Sequence, residues 1–179
     1  MTATFEHIQT ITLTSATNKI QFTSLPQTFT DLVFYGTINS SAPISQVEHI
    51  QSRFGNNAYD ATGYSHIAAF ARSTTNSYES SAGFNQTQMR PMHYTYAPRN
   101  ANQFGIFVMS LFNYASTTVI KSYQNTSGSI GAEDYAGMEF QNGFLNSTSA
   151  INQIEFGMWA YTYDLDVGSE ISVYGIKKE

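Results

Sequence analysis

Apolar residues along this 179-residue chain mostly alternate with polar ones, which is the period of a half-buried strand and not of a helix. Residues 5–13 place Ile11 and Leu13 on one face with threonines between them, and Ile20 with Phe22 repeats the pattern after the turn Ser15-Ala16-Thr17-Asn18. Two strands joined in a hairpin are predicted there. Residues 32–38 put Leu32, Phe34 and Ile38 on one side, whereas residues 104–112 are apolar on both sides, as a central strand buried between two layers would be. Residues 119–123, 135–144, 151–159 and 170–176 complete the series, and Gly, Asn, Ser and Asp clusters between them read as turns. No segment carries a convincing helical stripe; one short helix over residues 57–63, capped by Asn56 or Asn57, is the exception.

About eight or nine strands separated by turn signals predict an all-β fold, a two-sheet antiparallel β-sandwich of jelly-roll or related Greek-key type. The whole chain, residues 1–179, is expected to form a single β-sandwich domain, since this length suits one domain. Residues 73–88 are Ser, Thr, Asn or Gly at most positions, and the stretch 73–92 is expected to be a polar, exposed excursion rather than a linker. Pro26 and Pro43 fall in connections, and Pro91 and Pro98 bracket a short strand.

Composition changes the picture of the surface more than of the fold. Charged residues are 12% of the chain, about half the roughly 25% usual in soluble domains, while Ser, Thr, Asn and Gln fill 64 of the 179 positions. Eight basic residues against thirteen acidic ones, scattered except for Lys177 and Lys178, make no patch that would displace counterions from a phosphate backbone, so nucleic acid is not an expected partner. No run of eighteen apolar residues occurs and the first residues lack the pattern of a signal peptide, so a membrane is not expected either and synthesis in a cytoplasm is. The 26 aromatic residues exclude disorder, and the absence of cysteine excludes a thiol nucleophile and a disulfide scaffold.

Candidate chemistry is sparse. His7, His49, His66 and His93 stand at no recognised ligand spacing, so no metal is expected. Asp164-Leu165-Asp166-Val167-Gly168 begins like a calcium loop but lacks its remainder, and an Asp-rich turn is the better reading. Glu133, Asp134 and Glu139 offer carboxylates without a pattern that would make them an acid and base pair. Serine-nucleophile and phosphate-loop motifs are absent. No catalytic residue and no cofactor is expected. The remaining candidate is aromatic: with Ile154, Phe156 and Met158 on one face, Glu155, Trp159, Tyr161 and Tyr163 fall on the other. These rings either pack at the sheet edge or form a patch that docks on a protein or stacks on a sugar.

Several blocks resemble a family of small tailed-bacteriophage virion proteins. Residues 23–33, Thr-Ser-Leu-Pro-Gln-Thr-Phe-Thr-Asp-Leu-Val, are similar to a strand of that family leading into the next, and residues 51–57 to its strand followed by a Gly/Asn turn. Residues 112–118 with Lys121, residues 144–152, and residues 168–177, Gly-Ser-Glu-Ile-Ser-Val-Tyr-Gly-Ile-Lys, resemble further blocks. The chain departs from the family at Asn113, where Asp is frequent, and across residues 73–92. The resemblance implies a non-enzymatic structural role in a virion, as a head-decoration, cement, head-fibre or tail-associated protein, without choosing among these; low charge with many Tyr, Ser and Asn suits a capsid decoration or cement protein on the head exterior. Its partners would then be the major capsid protein, neighbouring virion proteins and further copies of this chain. The alternative it leaves open is a receptor- or carbohydrate-binding sandwich of a head or tail fibre, whose partner would be a host glycan.

Overall fold

A computed structural model describes residues 4–42, 47–60, 62–72, 77–96, 104–130, 136–158 and 161–177, with backbone alone at 47–48, 72, 77, 90–96, 129–130 and 136. Twelve strands account for the regular structure among them: β1 (Thr4–Thr12), β2 (Lys19–Phe22), β3 (Asp31–Ile38), β4 (Val47–Gly55), β5 (Tyr64–Arg72), β6 (Ser77–Gln86), β7 (Met89–Tyr96), β8 (Gly105–Phe112), β9 (Lys121–Ile130), β10 (Ala136–Leu145), β11 (Gln153–Met158) and β12 (Glu170–Lys177). They form an eight-stranded sheet in the order β1-β12-β3-β8-β9-β10-β5-β6 and a four-stranded sheet in the order β2-β11-β4-β7. All pairings are antiparallel.

Eight of these strands make a jelly roll, with β1-β12-β3-β8 in one sheet facing β2-β11-β4-β7 in the other. The other four are two hairpins, β5-β6 and β9-β10, inserted between β4 and β7 and between β8 and β11. They pair with each other and lengthen the first sheet beyond β8. The sheets meet over one apolar core in which Phe34 and Phe107 of the larger sheet interlock with Phe22 and Phe156 of the smaller. Their rings meet at tilted or edge-on angles, with centroids 5.3 to 5.9 Å apart for the Phe22–Phe34, Phe34–Phe156 and Phe107–Phe156 pairs, the geometry that aromatic quadrupoles favour. Buried hydroxyls tie the layers: Tyr64 receives the Phe54 amide at 2.7 Å and donates to the Phe54 carbonyl at 3.2 Å, and Tyr114 donates to the Pro26 carbonyl. Burial pushes the Tyr114 hydroxyl up to about 12, so it keeps the proton this bond needs.

Gly36 faces Phe107 across β3 and β8, and a β-carbon at Gly36 would run into that ring. Gly36→Ala is expected to cost about 2 kcal/mol through overpacking, measured by urea unfolding with an unchanged slope.

Several expectations are corrected. β1 and β2 are not a hairpin: β1 pairs with β12 and β2 with β11, because the jelly roll sends consecutive strands to opposite sheets and alternation carries no information about partners. β8 is central in the larger sheet, but only one of its faces is buried, with Ile106 58% and Val108 40% exposed on the other. Residues 57–63 form no helix among the described positions; Asn57 takes a positive φ of 61° in a turn after β4. The described part of the polar stretch 73–92 is mostly strand, since β6 pairs with β5 as an edge strand and β7 begins at Met89. Pro91 lies within β7, an edge strand of the smaller sheet, where a missing amide is tolerated. Pro43 and Pro98 lie outside the described residues.

Candidate docking face

In the added hairpins the usual disposition of a sandwich strand is inverted. Several of their inward positions are polar and buried, Asn125, Ser127, Glu139, Gln141 and His66 being at most 8% exposed, beside the apolar Tyr64, Ala68, Phe70 and Tyr123. Among their outward positions are large apolar side chains, with Ile67, Phe84, Met138 and Phe140 between 45% and 81% exposed. Because side chains in a strand alternate, a register that buries Glu139 and Gln141 must present Met138 and Phe140 on the other side.

Cross-strand register gathers these side chains into rows that continue onto the jelly roll. One row runs Thr37, Ile106, Gly128, Met138, Ala71, Tyr78, and the next runs Tyr35, Val108, Thr126, Phe140, Ala69, Ser80. A third carries Ser110, Gln124, Asn142, Ile67 and Ala82. From β3 to β6 no charged side chain stands in any of the three rows; beyond β3 the first row continues to Glu170 on β12. At one end a bulge opposite Ser65, with Asn85 at a φ of 51°, leaves Phe84 standing at the rim. Between Phe84 and Phe144 lies a groove of about 560 Å³ floored by Ile67, Ala82 and Asn142.

Of the aromatic candidates from the sequence, Tyr161 lies over the outer face of the other sheet. Gln21, Glu155 and Arg53 lie side by side in register on β2, β11 and β4. The Glu155 carboxylate is fully buried there, held by Arg53 through Nε at 2.7 Å and through Nη2, by Gln21 at 3.2 Å and by Lys19 at 3.5 Å. Tyr161 folds back over this cluster and donates its hydroxyl to Glu155, and the Arg53 guanidinium lies 5.2 Å from its ring centroid. Burial first, and then the Glu155 carboxylate, push the Tyr161 hydroxyl well above its ordinary value. Tyr161 has a φ of 54°, which a bulky side chain adopts only under constraint. The regular alternation that placed Trp159, Tyr161 and Tyr163 on one face ends at Met158, where β11 stops. Tyr163 is half-buried against the core, and Trp159 lies outside the described residues.

Among the described residues the structure brings no other candidate groups together. His7 is exposed on β1 and bonds Thr10 at 2.9 Å, His66 is buried in β5, His49 sits on β4, and the His93 side chain is outside the described set, as are Glu133 and Asp134. Among the described residues no group of three His, Asp or Glu side chains is placed to hold a metal ion. The Asp164–Gly168 segment is a turn into β12, with Gly168 at a φ of 85° and Ser169 N bonded to the Asp166 carbonyl at 3.1 Å. Burial first, then the nearby Asp164 charge, raise the Asp166 carboxyl. Comparison with protein-family models, curated proteins and solved structures finds no match to this chain.

The apolar face escapes the sequence reading because two of the strands that carry it, β5 and β6, fall where no strand is expected, and at 135–144, where one is, alternation does not say which face is inside. The signal was present in Tyr64 to Arg72, where two interleaved sets alternate, but both carry alanines that dilute it.

Proposed function

We propose that this chain is a non-enzymatic structural protein of a bacteriophage virion, a decoration or cement protein that binds the assembled major-capsid-protein lattice on the head exterior. The observation that carries the reading is the uncharged apolar face of the enlarged sheet. Isolated apolar side chains on a surface need no explanation, but an apolar face larger than the roughly 300 to 600 Å² patch of an ordinary monomer marks a contact site. Docking such a face requires no charge to be desolvated. The resemblance of residues 23–33 and 168–177 to phage virion proteins supports the same reading. A protein that binds the shell but not its separated subunits stabilises the shell by linkage, and many copies on a lattice need only modest affinity each.

Purified protein is expected to co-sediment with assembled heads lacking it and not with free capsid subunits, and to raise the temperature at which those heads come apart. Mass spectrometry of virions finding only a few copies per particle would overturn the reading. The Phe84–Phe144 groove favours one other reading, a glycan-binding sandwich of a head or tail fibre, since aromatic walls beside Asn142 suit a sugar ring. Glycan-array binding lost in Phe84→Ala would select it.

A further inference from the structure

The apolar face of the enlarged sheet has the size, charge and shape of a surface made for its own copy. Nine side chains on or rimming it (Tyr35, Ile67, Tyr78, Phe84, Ile106, Val108, Met138, Phe140 and Phe144) are 38% to 90% exposed. At on the order of 150 to 250 Å² for a whole aromatic side chain, they leave roughly 1,000 Å² of largely apolar surface in water. A stable two-protein interface takes about 800 Å² from each partner, so one copy of this face is large enough to supply its half.

Charge narrows the occupant. The chain carries a net charge of -5, and two such chains repel unless the surfaces that meet are neutral. From β3 to β6 the rows through Met138, Phe140 and Asn142 carry no charge, as a self-contact needs, and a basic partner would find no acidic side chain there to pair with.

Shape supplies the third term. A two-fold contact is self-complementary, so the face must hold both a projection and its recess. The recess is the groove between Phe84 and Phe144. The projections are Tyr78, 90% exposed, and Met138, 66% exposed, which stand at the opposite end of the same strands. A two-fold axis lying in the interface, across the strands and near Phe140, sets the projecting end of each sheet over the groove of the other.

We infer that the enlarged sheets of two copies pack face to face about a two-fold axis near Phe140, so that the unit that docks is a dimer. This rests on the reading of that face as a protein contact within an assembly; a second copy, and not the lattice, is the partner there, and the dimer meets the shell through surface outside that face. Strands in stacked sheets of this kind lie about 10 Å apart from face to face and within about 30° of alignment. The face of the smaller sheet, with Lys19 and Tyr59, and the loops remain outside the contact.

The test is sedimentation velocity of the full chain from 1 to 100 µM beside its Phe140→Glu variant, with both checked for native melting. The wild type is expected at twice the 19.9 kDa chain mass and the variant at that mass, with self-association weakened at least 100-fold; where Phe140→Glu does not fold, Ile106→Glu replaces it. The chain has no cysteine, so Phe140→Cys introduces a single thiol beside its own symmetry mate and is expected to cross-link on mild oxidation, while Thr118→Cys, exposed in a turn, is not. A wild type that stays monomeric at 100 µM overturns the dimer. If such a monomer still binds capsid shells and Phe140→Glu abolishes that binding, the face belongs to the lattice and the functional reading stands without the dimer. A dimer that binds no shell leaves this inference standing and removes the functional one.

Discussion

Replacing Lys121 by Met is expected to lower stability by about 3 kcal/mol, since each carbonyl left without a partner costs about 1 to 3 kcal/mol. The side chain is fully buried at the start of β9. Its three ammonium donors meet three carbonyls, Ser116 at 2.6 Å, Val119 at 2.8 Å and Thr148 at 3.0 Å. This one group therefore ties the turn before β9 to the loop after β10, and Met fills its volume without donating anything. For a domain of this size the melting temperature should fall by about 6 to 12 °C, measured by calorimetry. Lys121→Arg should not rescue it, because a planar fork cannot point three donors at carbonyls arranged around a single nitrogen. An unchanged melting temperature in Lys121→Met would show that water replaces the ammonium. Burial lowers the Lys121 pKa, so between that lowered value and the ordinary 10.5 the unfolded chain binds more protons. In that window the contribution of Lys121 makes stability rise with pH.

The second large effect is expected at the outer face of the smaller sheet. Glu155 is fully buried while Arg53 keeps 31% of its side chain exposed, and the pair is therefore asymmetric. Removing the carboxylate lets Arg53 turn to water, whereas removing the arginine strands a buried negative charge with Lys19, Gln21 and Tyr161 as its remaining partners. Arg53→Met is expected to cost about 3 kcal/mol, at the low end of the 3 to 5 seen for a broken buried pair because Lys19 stays. Glu155→Leu should cost distinctly less, and the double variant Arg53→Met/Glu155→Leu should recover part of the loss, with a coupling of about 1 to 3 kcal/mol. Urea unfolding of the four proteins closes the cycle. Equal losses for the two single variants would show that both charges are solvated alike and that the asymmetry has no energetic weight.

Much of the jelly roll was legible in alternation. Strands β1, β2, β3, β8, β11 and β12 each carry apolar residues on the face that enters the core, as at Leu32, Phe34 and Ile38 or at Ile171 and Val173. The added hairpins were legible only in part, with strands expected at 119–123 and 135–144 but none at β5 or β6. β9 runs Gln124 to Ser129 with only polar residues and glycine, and β10 buries Glu139 and Gln141 while exposing Met138 and Phe140. Alternation reports that two faces differ; it does not say which is inside. The rule that apolar faces point inward assumes a chain that meets only water, and a face that is to be covered by protein breaks it.

The aromatic cluster taught a related lesson. Glu155 and its neighbours do lie on the face that alternation assigned, but what Tyr161 does depends on a backbone reversal after Met158 and on the Arg53 and Glu155 partners waiting beneath it. Those partners are about one hundred residues and six residues away, and local sequence does not encode the first of these distances.

The sequence by itself determined that the fold is built of strands in two antiparallel layers, because side-chain period and turn chemistry are local properties that each segment carries within itself. It also determined that the surface is neutral and rich in hydroxyls and amides, which is a matter of composition. The tertiary structure alone decided which strands are neighbours, that two inserted hairpins join to lengthen one sheet, and that their apolar side faces outward. The physical reason is that strand pairing and the choice of inner face are settled by contacts between distant segments, where burying Phe54, Tyr64 and Tyr123 together outweighs the local preference of any one strand.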